Sequence, residues 1–299
     1  LSGDLAAGAI QRDVGSKLHL DATAAAFGIC EVVDENMANA ARVHAVESGK
    51  NIADNMMVAF GGAAPLHAAR LCEKLGIDRC LVPPGAGVGS AIGFLKAPFG
   101  YEALASKITR LSAFDPAAIN LLLADLKSTA EGFVRAGTQG NIRREITAFM
   151  RYVGQGWEIP VPLPDRPFSA GDAEVLKADF KAAYARFFGR AIDGLSGLEI
   201  EVVTISVKSA DERPAPERVA LTTGSRVVHA TELREVFDPS SARMLQTGIV
   251  ARESLQAGDR LSGPVVIVER ETSTVVTAPF DVVVQADGSL LMLRKGSSK

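Results

Sequence analysis

A strand-like run that ends in two glycines and leads straight into a helix is the strongest chemical signal in the sequence. Met56-Met57-Val58-Ala59-Phe60 is apolar at every position, Gly61-Gly62 close it, and helical spacing resumes at Pro65. Two glycines let a flat ligand approach the backbone with no Cβ in the way. A helix start offers free N–H groups and the positive end of its dipole to an anion or a polar ring edge. Open α/β sheets bind ligands at such turns, beyond the C-terminal ends of strands. A closely packed strand–helix turn has the same spacing.

Other constellations are weaker. Pro83 to Gly93, PPGAGVGSAIG, carries Gly87-x-Gly89 before a helix but lacks the full GxGxxG pattern, so it reads first as a Gly-rich turn. No Gly-x4-Gly-Lys-Ser/Thr phosphate loop occurs. Arg151-Tyr152-Val153-Gly154-Gln155-Gly156-Trp157 groups a guanidinium, a phenol and an amide with the only Trp. Such a strip can line a pocket or form a strand with a glycine bulge. The four His residues, His19, His44, His67 and His229, show no metal-ligand spacing. His67 sits in the first turn after Gly61-Gly62 and could touch a ligand. Cys30, Cys72 and Cys80 fall on apolar faces and read as core. Glu31, Asp34 and Glu35 read as a solvated helix face, and Asn36 beside them could reach a ligand.

These residues need elements to hold them. Residues 21–48 form an Ala-rich stretch in which Ala26, Ile29, Val33, Met37 and Ala40/Ala41 recur at helical steps, predicting one buried face. Asp21 is the expected N-cap and Gly49 the stop. The run from 56 to 60, apolar throughout, predicts a strand buried on both faces. Pro65 to Leu75 predicts a helix ended by Gly76, and Cys80 to Val82 a second strand. The first third is thus α/β. Residues 116–138 predict a helix with Pro116 in its first turn. Beyond about 145, strand-like pieces separated by Gly, Pro and Asp-Gly turns predict a β-rich domain, interrupted by one helix at 173–188.

The 299 residues hold 32 Lys+Arg against 35 Asp+Glu, with 47% apolar residues. That composition supports a real core and excludes a disordered or collagen-like chain. A net charge of −3 argues against a nucleic-acid or anionic-membrane partner. The three Cys show no disulfide spacing, no signal peptide is recognisable and no apolar run approaches a membrane span. Together these point to the cytoplasm.

The blocks FGGAAPLHA (60–68), LGI (75–77), VPPGAGVGSA (82–91) with Gly93, RYVGQ (151–155) and SGPVVI (262–267) with Glu269 and Ser273-Thr274 resemble the hydantoinase A / 5-oxoprolinase family in the family's own order. The resemblance implies an ATPase fold of two lobes, as in actin, sugar kinases and chaperone ATPases. Here it implies an incomplete lobe of that α/β kind followed by a β-rich α+β domain. The expected division is 1–110 for the lobe, 111–144 for a helical connection and 145–299 for the β-rich domain. The ATP-binding candidates become Gly61, Gly62, Ala63, Ala64 and Pro65, with Asn36. His67, Arg151, Tyr152 and Gln155 become candidates for a substrate pocket.

Family members also carry Asp-x-Gly-Gly-Thr phosphate motifs, and this sequence has neither. Without them the chain lacks the groups that hold Mg-phosphate. The resemblance therefore implies a protein partner that carries the missing lobe and phosphate motifs and shares ATP and Mg with this chain. The abrupt start before the helix at Asp21 reads as a subunit boundary. Separately encoded pieces resemble the ATP-dependent acetone and acetophenone carboxylase group. That likeness implies further carboxylase subunits, with a small ketone and bicarbonate as substrates and no metal site of the chain's own. ATP-dependent opening of a cyclic amide is the alternative, and a non-catalytic scaffold subunit the third reading.

Overall fold

The computed structural model describes residues 2–189, 197–214 and 218–297. The chain gathers into two compact units: residues 1–95 with 217–299, and residues 96–216. The helices are α1 (Gly3–Ile10), α2 (Ser16–Leu18), α3 (Ala22–Glu47), α4 (Ala64–Leu75), α5 (Gly89–Lys96), α6 (Pro116–Gly137) and α7 (Asp172–Phe188). The strands of the first half are β1 (Met57–Val58), β2 (Arg79–Val82), β3 (Gly100–Arg110), β4 (Ile142–Tyr152) and β5 (Ile159–Leu163). Then come β6 (Ile200–Asp211), β7 (Arg226–Val227), β8 (Glu232–Asp238), β9 (Arg243–Ala251) and β10 (Asp259–Ser262). The last are β11 (Val265–Val268), β12 (Ser273–Val276), β13 (Phe280–Val284) and β14 (Leu290–Arg294).

This division differs from the expected 1–110, 111–144 and 145–299. The last eighty residues do not join the strands that follow residue 145. They pair with the first third of the chain, in a six-stranded sheet of order β1-β2-β14-β13-β10-β7. The reason lies in β2. Its Cys80 and Val82 are fully buried, and buried backbone must be hydrogen-bonded on both edges. Parallel β1 covers one edge, and antiparallel β14 covers the other through Leu290↔Val82 and Met292↔Cys80. The core around them is Ala68, Ala69 and Cys72 of α4 with Phe280, Val282, Leu290 and Met292. A second sheet of the same unit has the order β12-β11-β9-β8.

The other unit is an antiparallel sheet of order β3-β6-β4-β5. Its core joins Leu123, Leu126 and Ala130 of α6 and Phe180 and Tyr184 of α7 to Met150, Val161 and Val207. Residues 111–144 are therefore no mere connection, because α6 closes this core. α6 starts as expected, with Pro116 in its first turn and Asp115 accepting hydrogen bonds from the Ala117 and Ala118 amides.

Two expectations in the first unit are overturned. β1 is a two-residue edge strand with one buried face: Ala59 beyond it is 4% exposed, whereas Val58 and Phe60 are 50% and 53% exposed. Helix α3 begins on Asp21 as expected, but it packs on a different face. Ala25, Asp34 and Ala38 are its buried residues, while Ile29, Val33 and Met37 are exposed.

The cause is an ionic seam with α4. Arg70 donates to Glu31 at 2.8 Å and to Glu73 at 2.8 Å. Lys74 reaches both Glu31 and Glu35 at 2.9 and 3.0 Å, and Arg42 caps the Lys74 carbonyl at 2.9 Å. Glu31, Asp34 and Glu35 are thus paired groups, not a solvated face. Charge complementarity chose the face that docks, and small Ala residues let the helices approach.

The seam predicts a pH dependence. The hydrogen bond from Arg70, helped by Lys74, holds the Glu31 carboxyl down at about 2. A depressed carboxylate stabilises fully above its unfolded value near 4.5 and loses that contribution as pH falls towards 2. Denaturant unfolding across that window should cost the wild type up to about 3 kcal/mol more than Glu31→Gln. Equal pH slopes for the two proteins would refute the coupling.

Candidate functional site

Two glycine turns stand side by side where the parallel strands β1 and β2 end. The Ala59 amide donates to the Leu81 carbonyl at 2.9 Å, and the Gly61 amide donates to the Ala86 carbonyl at 2.7 Å. Gly61 has φ +112°, a conformation only glycine adopts easily. A Cβ at Gly61 or Gly62 would meet nothing within 4 Å, so the face above these residues is open. Beyond them α4 starts at Ala64 with no side chain capping its amides and with Pro65 in its first turn.

The second turn is packed rather than open. Gly85 is left-handed at φ +65°, and residues 86–88 form one turn of 3-10 helix before α5. A Cβ on Gly87 would lie 2.6 Å from Glu271 Cβ and 2.9 Å from its backbone carbon.

A third loop, residues 269–273, locks both turns. The Thr272 hydroxyl donates to the Gly62 carbonyl at 2.8 Å, and the Glu269 amide closes the loop on the Thr272 carbonyl at 2.9 Å. Glu269 in turn receives Arg252 at 2.6 Å. The same guanidinium donates to the Val82 and Gly288 carbonyls at 3.1 and 2.8 Å. This pair is almost buried, with side chains 12% and 10% exposed. It ties β2, the β13–β14 turn and the 269–273 loop to one point. A cavity of about 520 Å³ lies beside it, lined by Pro84, Gly85, Arg252, Glu269 and Arg270.

The other candidate residues fall in different places. Gly62 and Ala63 are exposed at the open turn, while Pro65 is buried beneath it. Asn36 is exposed on α3, and its side chain makes no hydrogen bond among the described residues. His67 is held by Asp34, Nδ1 to Oδ1 at 2.7 Å. Burial keeps the Asp34 carboxyl above the usual carboxylate range, against the pull of that hydrogen bond.

Arg151, Tyr152 and Gln155 belong to the other unit, where Tyr152 is buried and Arg151 and Gln155 are half-buried. Arg151 donates to Glu201 at 2.8 Å. Tyr152 is buried edge-on against Phe180, and Gln155 donates to the Tyr184 hydroxyl at 3.0 Å. Cys72 and Cys80 are core as expected, but Cys30 is exposed. Among the described residues no cluster of His, Cys, Asp and Glu could hold a metal ion. No helix among them is long and apolar enough to cross a membrane.

Sequence models for two parts of one family fit this arrangement. The hydantoinase/oxoprolinase model matches residues 1–103, and the hydantoinase/oxoprolinase C-terminal domain model matches residues 117–295. The chain belongs to the hydantoinase/oxoprolinase family. Its relatives include an uncharacterized protein of Methanocaldococcus jannaschii, 28% identical over 98% of this chain and 41% of that protein. The caprolactamase subunit alpha of Pseudomonas jessenii is 24% identical over 92% of this chain and 40% of the relative. The acetone carboxylase beta subunit of Xanthobacter autotrophicus is 26% identical over 91% and 40%. The chain thus spans about two-fifths of the length of these relatives.

Two solved structures share the fold. One is the ATP-dependent caprolactamase of Pseudomonas jessenii, with a TM-score of 0.75 at 22% identity over 99% of this chain and 43% of that one. The other is nucleotide-free acetone carboxylase, at 0.69 and 22% over 96% and 42%.

The two turns should respond oppositely to substitution. Gly62→Ala adds a methyl group to open space and should leave stability within about 0.5 kcal/mol. Gly87→Ala drives a methyl group into Glu271 and should cost about 1–3 kcal/mol. Urea denaturation of both variants measures the contrast, and equal losses would contradict the packing described.

Proposed function

We propose that this chain supplies the adenosine-facing side of an ATP site in an enzyme that activates a small carbonyl compound by phosphorylating its oxygen. The supporting observation is the open backbone face at Gly61-Gly62, at the C-terminal end of a parallel strand and locked from behind by the 269–273 loop. In this reading Gly61, Gly62, Ala63 and Ala64 lie against the base or ribose, and Pro65 fixes the helix start below them. In this reading the phosphate and Mg contacts come from the rest of the ATPase, outside these residues, as the greater length of the relatives suggests.

The first reaction we put forward is carboxylation of a ketone. ATP would activate the enolate oxygen, bicarbonate or both, and carbon–carbon bond formation beside the carbonyl would follow. Its support is the likeness to the acetone carboxylase beta subunit over most of the chain. Opening of a cyclic amide is the second reading, supported by the likeness to the caprolactamase subunit alpha. There, phosphorylating the amide oxygen would make its carbon electrophilic. A scaffold role without nucleotide contact is the reading that the first test below can establish instead.

Gly62→Asp should leave the fold intact, because the new side chain projects into open space. It should lower ATP turnover of the assembled enzyme by at least about a hundredfold, since the carboxylate occupies the ligand's approach and repels phosphate. Undiminished turnover would establish the scaffold role. With wild-type complex, ATP consumption that requires both a ketone and bicarbonate marks the carboxylase. Consumption driven by a cyclic amide without bicarbonate marks the amidohydrolase.

A further inference from the structure

We propose that the free edge of β3 is a docking surface for a second copy of this chain, the two strands pairing antiparallel about a two-fold axis at Ser106. In the sheet β3-β6-β4-β5, the strands β3 and β5 are the edges. An edge strand presents a row of unpaired amides and carbonyls, and proteins that stay single close such rows with proline, charge or short length. β5 is closed in that way: it is five residues long, and Pro160 and Pro162 remove two of its amides. β3 is eleven residues long and has no proline. Its exposed side chains include Leu104 at 58% and Ile108 at 62%.

β3 divides its side chains between two faces. Ala103, Ala105 and, just beyond the strand, Leu111 turn to the core shared with α6. The even-numbered residues lie on the other face, where Glu102 meets the Ser206 hydroxyl of β6 and Ser106 meets that of Thr204 at 2.9 Å. The pairing with β6 shifts register between Ser106 and Thr109. The alternation along β3 persists through that shift, because Leu111 still faces the core.

Charge and apolar pattern select the occupant. Centring the pair on Ser106 sets Leu104 opposite the copy's Ile108 and Glu102 opposite the copy's Arg110, each twice by symmetry. On this one face every apolar residue meets an apolar residue and every charge its opposite. Both charges are available: Arg110 makes no ion pair among the described residues, and Glu102 is met there only by the Ser206 hydroxyl. On the core-side face Lys107 falls opposite the copy's Ala105, past which its long stem reaches water. Sliding the copy by two residues sets Leu104 against Ser106 or Arg110 and breaks both matches, so one register is favoured.

The test uses the full chain alone. Sedimentation equilibrium up to about 200 μM should show a reversible dimer, with the roughly micromolar dissociation expected of one added strand. Arg110→Glu and Glu102→Arg each set like charges opposite one another at both ends of the pair and should weaken the dimer at least about tenfold. Mixed in equal amounts, the two variants restore both opposite-charge pairs and should associate within about threefold of wild type. Both side chains are exposed, so the unfolding midpoints of the variants should match wild type. Amide hydrogen exchange in residues 102–110 should slow as concentration rises. A wild type that stays monomeric overturns the proposal and leaves the edge to a different polypeptide. A dimer indifferent to both variants, or a mixture no tighter than either variant alone, overturns it as well.

Discussion

The pairing of β2 with β14 is the constraint on which the first unit depends. β2 is short, buried and flanked on one side only by a two-residue parallel strand. A parallel pair of that length does not stand alone. β14 supplies the second edge, and behind it β13 brings Phe280 and Val282 into the core with α4. Once β2 is fixed, both glycine turns are fixed, because each begins where one of the paired strands ends. Arg252 reinforces this by bonding the last carbonyl of β2 and the turn before β14 with one guanidinium. Burying that group is tolerable only because Glu269 neutralises it and both carbonyls accept its protons.

Much of the local structure was legible in the residues. Asp21 caps α3, Gly76 ends α4 in the left-handed conformation, and Asp115-Pro116 open α6, because each is a local rule of backbone geometry. The open turn at Gly61-Gly62 was legible for the same reason. Periodicity misled at α3. Ile29, Val33 and Met37 form a good apolar stripe, but a stripe tells only that a face is apolar and not what lies against it. The face that docks is chosen by partners on α4, 39 to 43 residues away, whose charges match Glu31 and Glu35. The strand β3 went unseen because its side chains are mostly exposed and its only fully buried residue is Ala103.

The half of the site that was not legible is the half built by distant sequence. Thr272, Glu269 and Arg252 carry no motif by themselves. Their role comes from meeting Gly62 and Val82 in space. The Asp34–His67 pair is a similar case: one helix supplies one residue and another its partner, at a spacing no pattern search connects. The strip from Arg151 to Gln155 fitted either a pocket lining or a strand with a glycine bulge. Its side chains make an ion pair and a contact with a buried tyrosine.

The bond from Thr272 to Gly62 joins residues 210 positions apart in the chain. During synthesis the glycine turns therefore leave the ribosome long before the loop that locks them. The unit formed by residues 96–216 is continuous in sequence and can complete its core while that loop is still being made. The sheet carrying the turns cannot, because β2 waits for β14. Closing so long a span adds an entropic cost that grows only slowly with length, so delay rather than energy is the main consequence. The open glycine turn emerges 210 residues ahead of the threonine that locks it and becomes rigid late.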